Sequence, residues 1–284
     1  MTPARIAKKK ILVVDDDRSL RHMLCRILQG AGFEAKGVGD GAEALDLLSL
    51  GETDLMLLDV GLPGRSGLEV LAELRGRKSA PRVVIMTSDE APETLLSAVR
   101  DQAYEYLHKP FPPQEIIDVA RRALDAAPES LSIEVVSASP EWVELIVPCS
   151  MDVVERIEGF MGRLKADLPE KVRESIGQAF RELLINAIEW GGRLDPDRRV
   201  RISYLRAKKM LLYRIADPGP GFSPSALRHA AVNNPEGKPA EHASVREEMG
   251  LRPGGFGLLL VRAMVDELIY NEKRNEVVFV KYLE

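Results

Sequence analysis

Three short, unbroken apolar runs, Ile11–Val14, Leu55–Leu58 and Val83–Met86, each lead straight into polar residues that can do chemistry: Asp15 and Asp16, then Asp59, then Thr87. Continuous rather than alternating apolarity marks a strand buried on both faces, which is the condition of a parallel sheet flanked by helices. The stretches between carry the helical period. Leu20, Met23, Leu24, Ile27 and Leu28 recur at i, i+3, i+4, i+7 and i+8, and Gly32 follows as a stop signal. From Lys10 to about Ala127, strand and helix alternate, so this half reads as a doubly wound α/β domain. Ligands of such sheets sit at the carboxyl ends of the strands. Asp15, Asp16, Asp59 and Thr87 are therefore expected in one crevice, with Lys109 joining them after a fifth strand.

Converging carboxylates repel one another, and a hard divalent cation with oxygen ligands relieves that repulsion, so Mg2+ is expected among Asp15, Asp16 and Asp59. A carboxylate beside Mg2+, with a lysine to balance phosphoryl oxygens and a hydroxyl to meet them, suits covalent phosphorylation of an aspartate. An acidic loop such as Asp15–Asp17 by itself is more often a solvated helix start; the combination carries the inference. Residues 10 to 125 closely resemble the receiver domains of two-component response regulators in Val14-Asp15-Asp16, Leu58-Asp59-Val60-Gly61-Leu62-Pro63, Met86-Thr87-Ser88 and Lys109-Pro110-Phe111. The resemblance implies that Asp59 accepts phosphate from an upstream sensor histidine kinase. It also implies that Asp16, Asp59 and the Gly61 carbonyl hold Mg2+ with help from Asp15, that Thr87 and Lys109 contact the phosphoryl group, and that Tyr106 is the aromatic switch residue. His22 faces outward from the first helix, with no kinase-type sequence after it, and is not expected to be a phosphoacceptor.

At 284 residues the chain is long enough for two domains. Small, polar and proline residues from Asp125 to Pro140 place the boundary near residue 130. The expected division is a receiver over 8–127, a linker over 128–139 containing a short strand at Ile133–Val136, and a second domain over 140–284. Beyond the linker the pattern predicts a strand at Val143–Val147, a helix at Met151–Ala166 and a long helix at Glu170–Trp190. A hairpin over Arg199–Ala216 turns at Lys208 and Lys209, a final helix spans Leu258–Leu268, and a last hairpin ends with Glu276–Tyr282. Helices laid over antiparallel strands make an α+β two-layer sandwich.

In the long helix Glu182 and Asn186 lie four apart, on one face, where a carboxylate and an amide can hold Mg2+ and position a hydroxyl. Asp217-Pro218-Gly219-Pro220-Gly221-Phe222 combines an acceptor for an exocyclic amine with glycines that admit close backbone approach. Gly254-Gly255-Phe256-Gly257 then opens an apolar helix, where free backbone N–H groups can cradle phosphate. Each motif alone more often marks an ordinary turn or a solvated face. Together and in this order they make residues 140 to 284 resemble the GHKL ATPase fold of gyrase, Hsp90, histidine kinases and MutL, and most nearly its anti-sigma-factor serine/threonine kinase branch, carried by Arg181-Glu182-Leu183-Leu184-Ile185-Asn186-Ala187. The resemblance implies ATP as ligand, with Asn186 on Mg2+, Asp217 and Gly219 reading adenine, Gly221, Gly255 and Gly257 lining the phosphates, and Glu182 as catalytic base. The sequence departs from that branch at Trp190, where a histidine is common, and in the long polar segment Ser223–Arg252, which reads as a lid.

The net charge of −5 gives no basic excess for gripping nucleic-acid phosphates, and no apolar run is long enough to span a membrane. Lys8–Lys10 are followed by an apolar stretch too short for a signal-peptide core, so the expectation is a cytoplasmic protein with no direct nucleic-acid or membrane partner. Neither a disulfide nor a zinc site is expected of the two cysteines, Cys25 and Cys149. Two outputs fit the second half: a kinase acting on Ser/Thr of an anti-anti-sigma-type partner, or a non-catalytic, nucleotide-dependent module that sequesters a sigma factor or other signalling protein. A homodimer is compatible with either. A histidine-kinase hybrid fits less well, because His108, His229 and His242 fall at a strand end and in the lid region.

Overall fold

The computed structural model describes residues 8–51, 53–77, 80–89, 91–126, 133–223, 241–248 and 255–283. Contacts divide the chain into two units, Met1–Ala127 and Pro128–Glu284. In the first, strands β1 (Lys10–Val14), β2 (Glu34–Val38), β3 (Leu55–Asp59), β4 (Arg82–Thr87) and β5 (Glu105–His108) form a parallel sheet in the order β2-β1-β3-β4-β5. Helices α1 (Arg18–Gly30), α2 (Gly41–Leu50), α3 (Gly67–Leu74) and α4 (Pro92–Arg100) are the crossovers, and α5 (Pro113–Asp125) follows the last strand. Every residue of β3 is buried. The strand order reverses between β1 and β3, so their carboxyl ends open a crevice there.

Local chemistry sets the ends of these elements. The Asp17 side chain accepts from the Ser19 and Leu20 N–H groups to start α1, and Gly32, at φ +99°, takes the left-handed conformation beyond its end. Of the apolar stripe expected on α1, Leu24 and Leu28 are buried, whereas Met23 lies at the edge of the face and is 47% exposed. Ser66 and Glu69 form a capping box at α3. A Cβ at Gly67 would run into the backbone of Asp59, so only glycine lets α3 start this close to the end of β3.

The second unit is a six-stranded antiparallel sheet, β10-β11-β9-β8-β7-β6, built from β6 (Glu134–Ala138), β7 (Trp142–Pro148), β8 (Arg199–Ala207), β9 (Met210–Ala216), β10 (Glu267–Tyr270) and β11 (Glu276–Tyr282). Its helices are α6 (Asp152–Arg163), α7 (Glu170–Asn186), α8 (Glu241–Glu248) and α9 (Gly257–Met264). Alternate residues of the central strands, Val143 and Leu145, Ile202 and Tyr204, Tyr213 and Ile215, are buried with Ile157, Phe160, Phe180 and Leu184 of α6 and α7.

Three expectations are corrected. Residues 134–138, assigned to the linker on composition apart from the strand at Ile133–Val136, are edge strand β6, antiparallel to β7 through a register shift at Val135/Ser137. The last helix stops at Met264 rather than Leu268, because Glu267–Tyr270 pair with β11; an apolar run this short satisfies either period. The long helix is α-helical only to Asn186 and continues as a π-helical turn over Ala187–Gly191.

At the centre of this unit Tyr213 stacks on Phe279, with centroids 4.8 Å apart, and touches Phe180 and Tyr204. The Lys165 ammonium sits 5.8 Å from the centre of the Tyr213 ring, and the residue is only 2% exposed. Burial, aided by Arg173 and opposed by Glu158, pushes the Lys165 ammonium down to about 8 from 10.5. The unfolded chain holds its proton more tightly, so the buried charge costs roughly 3 kcal/mol below about pH 8, and stability recovers as pH climbs toward 10.5. Lys165→Met should therefore raise the urea midpoint at pH 7, with the gain over wild type shrinking through that window. An unchanged gain from pH 7 to 10.5 would show that the ammonium is not the cause.

Candidate functional site

In the first unit Asp15 ends up fully buried just past β1, and Asp59, the last residue of β3, is 6% exposed. Asp16 is exposed, yet one carboxylate oxygen from each of Asp15, Asp16 and Asp59 lies within 4.8 Å of the others, a group able to hold a metal ion. Lys109 donates from its Nζ to Asp15 Oδ2 at 2.6 Å and Asp59 Oδ1 at 2.7 Å. Burial pushes the Asp15 carboxyl above its ordinary range against the pull of Lys109; burial acts to lower Lys109, but its two carboxylate partners outweigh it and hold the ammonium above its ordinary value. Three carboxylates against one ammonium leave a net negative crevice, which fits a hard dication. A Cβ at Gly61 would lie 3.2 Å from Asp59 Oδ2, so the Gly61 backbone borders the same carboxylate.

Thr87 is buried at the end of β4, and its Oγ accepts from the Asp89 N–H at 3.0 Å. Tyr106 packs inward from β5 and donates its hydroxyl proton to the Asp89 carbonyl at 2.7 Å. Asp89 thus bridges Thr87 and Tyr106, and its own carboxylate accepts from the Thr94 hydroxyl and the Ala91 N–H at the start of α4.

In the second unit a cleft of about 790 Å³ is lined by Glu182, Asn186, Trp190, Asp217, Gly221 and Gly257 among others. α7 supplies Glu182 and Asn186 one turn apart, and Asp217 follows β9. A Cβ on Gly257 would overlap the Glu182 carboxylate, so this acid lies against the first residue of α9. Gly255 also lines the cleft, at φ +95°, whereas Gly254 lies outside the described residues, as does most of Ser223–Arg252 apart from Ser223 and α8. Gly219 does not reach the lining; its N–H donates to Asp217 Oδ1 at 2.7 Å and fixes that carboxylate. Burial raises the Asp217 carboxyl, opposed by the Gly219 N–H and by Arg198.

A family model described as the response regulator receiver domain matches residues 11–121. The chain, which covers 89% of a 34%-identical relative from that family, belongs to the response regulators. A second model, the histidine kinase-like ATPase domain, matches residues 152–281 of this regulator. It is 34% identical over 209 residues, 71% of its own chain and 89% of the relative, to the DNA-binding response regulator MtrA of Mycolicibacterium paratuberculosis. It is also 34% identical over 155 residues, 54% of its chain and 33% of the relative, to the DNA-binding transcriptional regulator NtrC of Escherichia coli. The chemotaxis response regulator CheY4 of Vibrio cholerae matches at 30% identity and a TM-score of 0.40, covering 42% of the regulator and 100% of CheY4. Receiver domains bind Mg2+ and histidine-kinase-like ATPase domains bind ATP. Among the described residues of the regulator, no helix is long and apolar enough to cross a membrane.

Sequence reasoning missed Gly191, Arg198 and Asn275. The π turn brings Gly191 onto Asp217 so closely that any Cβ there would overlap the carboxylate. Arg198 donates to the Pro218 carbonyl at 2.6 Å and reaches the Gly192 carbonyl at 3.5 Å, and Asn275 braces the same loop from the turn just before β11. The Gly191-Gly192 pair was the available signal; a lone arginine and a lone turn asparagine carry none. Gly191→Ala is expected to destabilise the second unit by about 1–3 kcal/mol. Gly159→Ala, in α6 with nothing within 4 Å of the added carbon, should be neutral or stabilising by up to about 1 kcal/mol. Urea unfolding of both variants checks the pair.

Proposed function

We propose that this response regulator is phosphorylated on Asp59 by a sensor histidine kinase and thereby controls an ATP-binding, anti-sigma-kinase-like output domain that phosphorylates Ser/Thr on a signalling partner. The observation that carries the output half is the convergence of Glu182, Asn186 and Asp217 on one 790 Å³ cleft, a volume suited to a nucleotide. In this reading Asp217 accepts from the adenine amine, Asn186 ligands the Mg2+ that comes with ATP, and Gly221, Gly255 and Gly257 admit the phosphates beside the start of α9. Glu182, against Gly257, takes the proton of the attacking hydroxyl. In the receiver, Asp15, Asp16, Asp59 and the Gly61 carbonyl hold Mg2+, which when bound offsets charge on the incoming phosphoryl oxygens. Lys109 and Thr87 meet those oxygens. Drawing Thr87 toward them moves the Asp89 backbone, to which Tyr106 and α4 are tied, and so biases the surface around α4 and β5.

The partner class is a sigma factor, an anti-anti-sigma-type protein or another signalling protein. A net charge of −5 supports a reading without direct nucleic-acid contact. Trp190, 44% exposed where a histidine is common, favours a second reading, a nucleotide-dependent binder without transferase activity.

Isothermal titration with ATP and Mg2+ should show binding that Asp217→Ala weakens at least tenfold; equal affinity in the two would refute the cleft assignment. With radiolabelled ATP and candidate partners, the kinase reading expects transfer by wild type and none by Glu182→Ala, which still binds ATP. Binding without transfer to any partner selects the second reading. A small-molecule phosphodonor should label wild type but not Asp59→Asn, and label on Asp59→Asn would move the phosphoacceptor elsewhere.

A further inference from the structure

The loop that presents Asp217 is held by the tip of the last hairpin. The Asp217 N–H donates to the Asn275 carbonyl at 2.8 Å. In return the Asn275 Nδ2 donates to the Gly219 carbonyl at 3.2 Å and approaches the Asp217 carbonyl at 3.4 Å. The orientation of the Asn275 amide is itself set: Asn271 Nδ2 donates to Asn275 Oδ1 at 2.9 Å, which turns Nδ2 toward the loop. Asn271 Oδ1 accepts from the N–H groups of Asn275 and Glu276 at 3.1 and 3.2 Å. The base of the hairpin is equally fixed, because Arg214 clamps Glu276 with two bonds of 2.8 and 2.6 Å. At the other end of the loop Gly221, at φ +83°, packs so tightly on the Lys273 carbonyl that no side chain could stand there. Phe222 meets Tyr270 edge-on at 5.6 Å.

Asn275 is not part of the cleft lining, whereas Asp217 is. We infer that the Asn271–Asn275 pair is a positioning device that aims the Asp217 carboxylate and thereby sets the preference of the cleft for a purine bearing a 6-amino group. This rests on the assignment of the cleft to ATP. Asp217 Oδ1 is committed to the Gly219 N–H, so discrimination falls on how the rest of that carboxylate faces the base. Two donor contacts from one amide hold the Asp217 and Gly219 carbonyls, and so the backbone that carries the carboxylate, and a site built to hydrogen-bond an amine discriminates strongly against its absence. Asn275→Asp keeps the shape but replaces the donor with an acceptor that faces two carbonyl oxygens.

The test uses the full chain and two probes, ATP and purine riboside triphosphate, which lacks the 6-amino group, each titrated with Mg2+. Wild type should favour ATP. Asn275→Asp and Asn275→Ala should lose about tenfold or more in ATP affinity, with little change for the deaminated analogue, so the ratio between the two collapses. Asn275→Gln, which retains the donor, should recover part of that ratio. If both nucleotides weaken equally, Asn275 is merely structural and the inference fails; an unchanged ratio with unchanged affinities also overturns it. Should wild type bind neither nucleotide, the assignment of the cleft falls and this inference falls with it, whereas the first two failures leave that assignment standing.

Discussion

A carboxylate taken out of water costs several kcal/mol unless a counter-charge and donors replace the solvent. The receiver places Asp15 and Asp59 below the surface at the ends of neighbouring parallel strands, and the Lys109 ammonium bonded to both is what makes that placement tolerable. The rest of the crevice follows from this arrangement. Asp59 can be the last residue of a wholly buried strand only because its charge is answered there, and Gly67 lets α3 begin directly behind it. One ammonium thus answers two carboxylates on neighbouring strands, so the crevice depends on a single charge.

The second unit handles polarity differently. Its antiparallel sheet buries one face under α6 and α7, and the cleft opens where α7, α9 and the end of β9 meet beyond that layer. Asp217 is half-buried, and the Gly219 N–H and the close approach of Gly191 hold its carboxylate in place of solvent. Glycine at 191 and 219 is the condition for two backbone segments to crowd one carboxylate, and glycine at 221 lets the same loop close on the Lys273 carbonyl. Tight backbone approach thus does here what an ion pair does in the receiver.

Much of this was legible in the sequence, for identifiable reasons. Unbroken apolar strands announced the parallel sheet because burial on both faces leaves no room for polar alternation, and the residues right after those strands had to be the crevice. Glu182 and Asn186 were readable because helical spacing alone puts them on one face. The strand expected at Ile133–Val136 was assigned to a linker because Ser137 and Ala138, which extend it as β6, have small side chains that suit a linker as well as an edge strand. The exchange of helix for strand at Leu268 turned on pairing with Phe279, a partner distant in sequence. Asn275 and Arg198 work through main-chain carbonyls, which no side-chain pattern encodes.

The π turn over Ala187–Gly191 has a consequence of another kind. Closing each turn on the fifth residue instead of the fourth inserts one extra position between Asn186 and the segment that leads to β8. That surplus brings Gly191, rather than a bulkier neighbour, onto Asp217. Conservative exchanges at Ala187, Ile188 or Glu189 can leave that arrangement standing, but loss of a single residue among them would restore the α-helical repeat and swing everything after it by roughly 100°. Length in this stretch is therefore a tighter constraint than the identity of the residues before Gly191.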